Sequence, residues 1–208
     1  MRFSKLLIFL VVAVALRAHG VPPYERGILT AENAADYLAQ VEAQRQVPEG
    51  FQSELMSVAL GCYPPLSQDE VQTEDLASLD PHAGKDRARV LTWLFSHSAT
   101  LDRNELMAKV LKFDPDTSVR EAAAKDLVVF KRLPTSLFEL VVQKMGEDLD
   151  AEVRLALVLS LSVLHADMSA DQRSLFEEAL QRLSTGDVSP HVMNEAACAL
   201  RLAQSVTP

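Results

Sequence analysis

Four stretches of this chain are versions of one another, and a chain that repeats itself at a fixed interval can fold into only a few kinds of object. They are Asp86–Leu94, Val119–Leu127, Val153–Leu161 and Val192–Leu200, and their equivalent positions Arg87, Arg120, Arg154 and Met193 lie 33, 34 and 39 residues apart. Between successive copies runs a second amphipathic segment, Leu101–Leu111, Leu137–Met145 and Leu175–Leu183. The repeating unit is therefore helix, short turn, helix. One such pair cannot bury its own apolar face and must stack on the next. Small residues (Ala122, Ala123, Ala124, Ala156, Ala196, Ala197) allow the close approach that stacking needs, and Leu127, Leu161 and Leu200 fill the space between pairs.

The rest of the chain agrees with an all-α reading. From Thr30 onward apolar residues recur at intervals of three and four, whereas period-2 alternation and Asn-Gly or Asp-Gly hairpin turns are missing. Helices are predicted over 30–46, 51–62, 86–97, 102–112, 117–132, 135–146, 150–166, 169–184 and 189–204. Asp102, Ser136 and Ser169 are candidate N-caps, and Pro115, Pro134 and Pro190 stand at helix entrances, where a missing N–H costs little. Gly50, Gly84, Gly146 and Gly186 are expected between helices.

The two central copies are preceded by acidic turns, Phe113-Asp114-Pro115-Asp116-Thr117-Ser118 before Val119-Arg120 and Glu147-Asp148-Leu149-Asp150-Ala151-Glu152 before Val153-Arg154. An acidic turn, then Val-Arg, then Ala on the packing face and Leu one turn later resembles the first helix of the HEAT-repeat family. The resemblance covers roughly residues 80 to 204, with a weaker first copy that lacks Val before Arg87 and a last copy with Met193 in the arginine place. It implies a short right-handed α-solenoid of stacked antiparallel helix pairs, used as a binding scaffold, and end copies that cap the stack. Pairing Asp114 or Asp116 with Arg120, and Asp148 or Asp150 with Arg154, would make a structural ladder from each acidic turn to its own arginine.

Ahead of the repeats the chain reads as an export leader followed by a cap. Arg2 and Lys5 precede an apolar run from Leu6 to Leu16, too short to span a bilayer, and Ala18 and Gly20 supply the small residues a signal peptidase reads. Residues 1–20 are thus expected to be a signal peptide cleaved after Gly20, residues 21–81 an N-terminal helical cap and acidic linker, and residues 82–208 HEAT-like repeats. With no Cys after the apolar run, no stable membrane anchor is expected, and the product would be periplasmic or extracellular. The leader holds Arg2, Lys5 and Arg17 and no acid, so its removal takes the net charge from −9 to −12. That charge opposes nucleic-acid binding and favours solubility and basic or cation-bearing partners, a dispersed acidic surface being more often only a solubility device.

Catalytic chemistry finds no foothold in the sequence. The five histidines are followed by Gly, Ala, Ser, Ala and Val and lack zinc-ligand spacing, so the His-Glu dipeptides with which HEAT-like deoxyhypusine hydroxylases hold iron are missing. There is no Gly-x-Ser-x-Gly elbow, phosphate-cradling loop or dinucleotide fingerprint. Cys62 and Cys198 fall in the first and last layers of the expected stack, too far apart to bridge, and are expected as unbridged, mostly buried thiols. Trp93 and Phe130 read as core. The expectation is a non-enzymatic, monomeric scaffold for a protein partner, without catalytic, metal or cofactor residues. The alternative is an enzyme or lyase-like protein that uses the solenoid groove as a small-molecule pocket.

Overall fold

The computed structural model describes residues 24–67, 84–97 and 101–206, and among these every regular element is a helix. The leader 1–20, most of the acidic linker and His82 lie outside the described residues. The helices are α1 (Ala34–Gln44), α2 (Phe51–Gly61), α3 (Gly84–His97), α4 (Leu101–Phe113), α5 (Thr117–Asp126), α6 (Thr135–Glu147), α7 (Ala151–Leu164), α8 (Ala170–Gly186) and α9 (Pro190–Val206), with short 3-10 turns at Leu127–Val129 and His165–Asp167. No helix of the described residues is long and apolar enough to cross a membrane.

The chain divides into two compact units, 1–62 and 63–208. In the first, α1 and α2 bury Tyr37, Leu38, Val41, Phe51, Leu55 and Met56. The ring of Tyr24 meets Tyr37 and Phe51 edge-on, at centroid distances of 6.2 and 5.0 Å. The carboxylate of Glu54 collects the segment before α1: it accepts from the Tyr24 hydroxyl (2.8 Å) and from the backbone N–H groups of Gly27 and Leu29 (2.9 Å each). Gly50 enters α2 at φ 80°, a left-handed conformation that suits a residue without Cβ.

In the second unit, packing follows the repeat. Helix α3 packs on α5, α5 on α7 and α7 on α9, while α4 packs on α6 and α6 on α8. Ala123, Ala124, Ala156 and Ala196 are buried at these contacts, as are Leu127 and Leu161. Leu200, expected to fill the space between pairs, is only half-buried. Asp116 and Asp150 cap α5 and α7 by accepting from the N–H groups of Ser118 and Glu152. Ser169 caps α8 in a reciprocal box with Gln172.

Several boundaries differ from the sequence reading. Asp102 and Ser136 lie inside the first turns of α4 and α6, whose helices start at Leu101 and Thr135. Gly84, Gly146 and Gly186 are the end residues of helices or adjoin them rather than spacers. Helix α5 stops at Asp126 instead of continuing to 132. Leu127–Val129 tighten into a 3-10 turn, and Phe130 beyond it is buried in extended conformation, which takes the chain out of the helix. The Phe130 ring lies 6.3 Å from that of Phe95, and the Arg103 guanidinium stacks over it at 4.1 Å while donating to the Phe95 carbonyl at the end of α3. Trp93 is buried as expected, with His97 stacked on it at 4.4 Å.

Candidate interaction surface

The acidic turns and the arginines do pair, but not within one turn. Each arginine reaches forward to the next: Arg87 to Asp114 (3.2 Å), Arg120 to Asp148 (2.9 Å) and Arg154 to Asp187 (2.7 Å). The contacts to Asp114, Asp148 and Asp187 are two-pronged, through Nε and Nη2. From their own turns Arg120 and Arg154 take only backbone, donating through Nη1 to the carbonyls of Asp114 and Asp148. The expected pairings of Arg120 with Asp114 or Asp116 and of Arg154 with Asp148 or Asp150 are therefore corrected. An arginine side chain extended across the stack meets the following turn, and the nearer carboxylates face elsewhere. Each paired aspartate also accepts, through Oδ1, the N–H two residues on: Asp116, Asp150 and Ser189.

These contacts set the charge state. Desolvation pushes Asp148 upward most strongly, but the Arg120 hydrogen bonds, the Asp150 N–H and the charges of Arg120 and Lys144 together hold its carboxyl below the usual range. For Asp187 the Arg154 hydrogen bond dominates and again lowers it. The geometry thus favours the ionised form at Asp148 and Asp187. Beside the three paired aspartates, in equivalent turns, stand Pro115, Leu149 and Val188, the last two exposed by 98% and 91%.

The second helices carry the cavity. Between α6 and α8 lies an open groove of about 680 Å³. Its apolar floor is Val142 and Leu175 with Ala179 and Leu183, and Glu139, Gln143 and Glu147 stand along the α6 wall with Arg182 opposite. The spacing that places them is helical: 139, 143 and 147 share one face of α6, and 175, 179, 182 and 183 one face of α8. Sequence reasoning did not find this groove: the i, i+4 arithmetic gives the face of each helix but not that the two faces meet.

Other chemistry-bearing residues stay scattered. No three His, Cys, Asp or Glu side chains among the described residues converge as a metal site. Neither Cys62 nor Cys198, one in each compact unit, forms a disulfide. The expectation that both are mostly buried is corrected for Cys198, which is exposed, whereas Cys62 is only partly exposed. The Ala-rich side of α9 faces its neighbours through Val192, Ala196, Ala199 and Ala203, and position 198 points away, as does its equivalent Leu159. His165 packs on Phe176, its Nε2 3.9 Å from Glu177.

No protein-family model, curated protein or solved structure matches the chain.

Proposed function

We propose that this chain is an exported, non-enzymatic HEAT-like scaffold, a short right-handed α-solenoid of stacked antiparallel helix pairs that acts as a monomer and binds a protein partner through its second helices. The pairwise packing order of α3 to α9 supports the solenoid, and the forward Arg–Asp pairs support repeats in register. The observation that carries the binding role is the groove between α6 and α8, about 680 Å³, open to solvent, with an apolar floor and polar walls. Its volume is also within the range of small-molecule sites, which is the basis of the second reading, an enzyme or lyase-like pocket. The lining offers no Ser, Cys or His to act as nucleophile or proton shuttle, and its acids stand apart along a helix, an arrangement that fits a surface better than a reaction site.

The test is capture from the exported fraction of the native source with the leader-processed chain as bait. A protein retained by the wild type and by Asn194→Arg, which changes an exposed position of α9, and lost with Gln143→Arg, which blocks the groove, supports the proposal. Equal retention by both variants overturns it.

A further inference from the structure

We infer that the α6–α8 groove receives an extended, basic segment of the partner protein, with two cationic side chains meeting Glu139 and Glu147 and an aliphatic side chain between them on the floor. The inference rests on the groove being the binding surface, as proposed above. Its ground is the charge left over once the groove's internal contacts are satisfied. Arg182 is engaged by Glu178 at 3.3 Å, and Asp187 by Arg154 at 2.7 Å. Gln143 donates to Glu147 at 2.8 Å, a neutral contact that orients the carboxylate without cancelling its charge. Neither Glu139 nor Glu147 has a cationic partner among the described residues, and both are exposed on the groove wall. The groove therefore presents two uncompensated negative charges over an apolar floor, on a chain whose net charge is −9.

Spacing narrows the occupant. Glu139 and Glu147 are eight residues apart on α6, about 12 Å at 1.5 Å per residue. An extended segment rises about 3.3 Å per residue, so basic residues four apart span about 13 Å and point to the same face. The residue midway shares that face and lies over Val142, Leu175 and Ala179. A basic, aliphatic, basic pattern with single spacers matches the groove in charge, length and polarity. An acidic or wholly apolar segment would leave the two carboxylates unpaired against it.

The experiment is fluorescence anisotropy with the full chain and a labelled peptide containing Lys-Ala-Leu-Ala-Lys. Binding should weaken at least 10-fold in Glu139→Gln/Glu147→Gln. It should change less than 2-fold in Glu32→Gln/Glu49→Gln, which removes the same charge from exposed positions of the first unit. A Gln-Ala-Leu-Ala-Gln peptide should bind at least 10-fold more weakly, and spermine should not displace the lysine peptide at equal concentration. The inference is overturned by no measurable binding, by equal weakening in the two double variants, by equal affinity for the glutamine peptide, or by displacement with spermine. If the peptide fails while Gln143→Arg still abolishes capture of the exported partner, the basic chemistry falls and the groove reading stands. If Gln143→Arg also leaves capture intact, both fall.

Discussion

Arg120 of one helix pair holds Asp148 of the next through two parallel hydrogen bonds, Nε to Oδ2 at 2.9 Å and Nη2 to Oδ1 at 3.0 Å. Its third nitrogen donates to the carbonyl of Asp114 in its own turn. One side chain thus joins two successive turns, and the pattern recurs at Arg154, whose fork takes Asp187 and whose Nη1 takes the Asp148 carbonyl. The arginine belongs to the junction between repeats rather than to either repeat. The last copy departs from this pattern, with Met193 in the arginine's place.

Breaking a junction should therefore cost more than losing an ordinary surface ion pair. Arg154 and Asp187 side chains are only 6% and 3% exposed. Arg154→Ala leaves a buried carboxylate without its cation and removes the bond to the Asp148 carbonyl, and is expected to lower stability by about 3–5 kcal/mol. Arg154→Lys should rescue little, since an ammonium has no planar fork. Arg154→Met/Asp187→Leu should recover more than half of the loss by removing both charges together. Urea denaturation measures all three, and a double variant as unstable as Arg154→Ala would contradict the account.

Much of this architecture was legible because helix periodicity and the repeat are local. The predicted segments overlap every observed helix, and Ala123, Ala124, Ala156, Leu127 and Leu161 are buried where the repeat places them. The pairing was not legible, since an acidic residue four to six positions before an arginine offers a local partner that the folded chain does not use. Asp187 was missed altogether. A signal for it exists, because Asp187-Val188-Ser189 stands 39 residues after Asp148-Leu149-Asp150, the same interval that separates Met193 from Arg154. The groove escaped for another reason: it is a property of two helices side by side, and neither helix alone reveals it.

Acid should loosen the junctions at Asp148 and Asp187. Asp148 and Asp187 have folded-state pKa values held below the ordinary value, so their contribution is fully present above the unfolded pKa of about 3.9 and is lost as pH falls through the folded values. Melting temperature is expected to fall steeply below about pH 4, and Asp187→Asn should flatten that part of the profile. Asp126 has the opposite sign. Desolvation raises its pKa against an opposing Thr92 hydrogen bond, and its Oδ2 is buried without a partner. Asp126→Asn should raise the melting temperature at pH 7 and give no gain at pH 3, where the wild-type carboxyl is protonated. A gain of equal size at both pH values would show that ionisation of Asp126 is not the cause.

The two thiols should separate cleanly by reactivity. Cys198 is exposed on α9, whereas Cys62 is half-buried and its Sγ–H donates to the Val58 carbonyl at 3.3 Å. Ellman's reagent under native conditions is expected to label Cys198 roughly tenfold faster than Cys62, with the two rates converging in denaturant. Cys198→Ser should remove the fast phase alone. Two equal native rates would contradict the burial of Cys62.

In the first unit, Tyr24 and Glu54 form a contact with its own pH signature. Burial, reinforced by the hydrogen bond to Glu54 and by its charge, pushes the Tyr24 phenol up to about 12. Glu54, despite desolvation, is held low by the N–H groups of Gly27 and Leu29 and by the Tyr24 hydroxyl. The raised phenol contributes stability that is fully present below the unfolded value of about 10 and lost as pH rises through about 12. The carboxylate's contribution is present above about 4.3 and lost as pH falls through its folded value. NMR titration with ring-labelled tyrosine should place Tyr24 near 12 and bring it part of the way toward 10 in Glu54→Gln, the share due to burial remaining. Glu54→Ala removes the acceptor of three hydrogen bonds and is expected to cost about 1–3 kcal/mol. A Tyr24 titration near 10 in the wild type would show that the carboxylate does not gather this segment in solution.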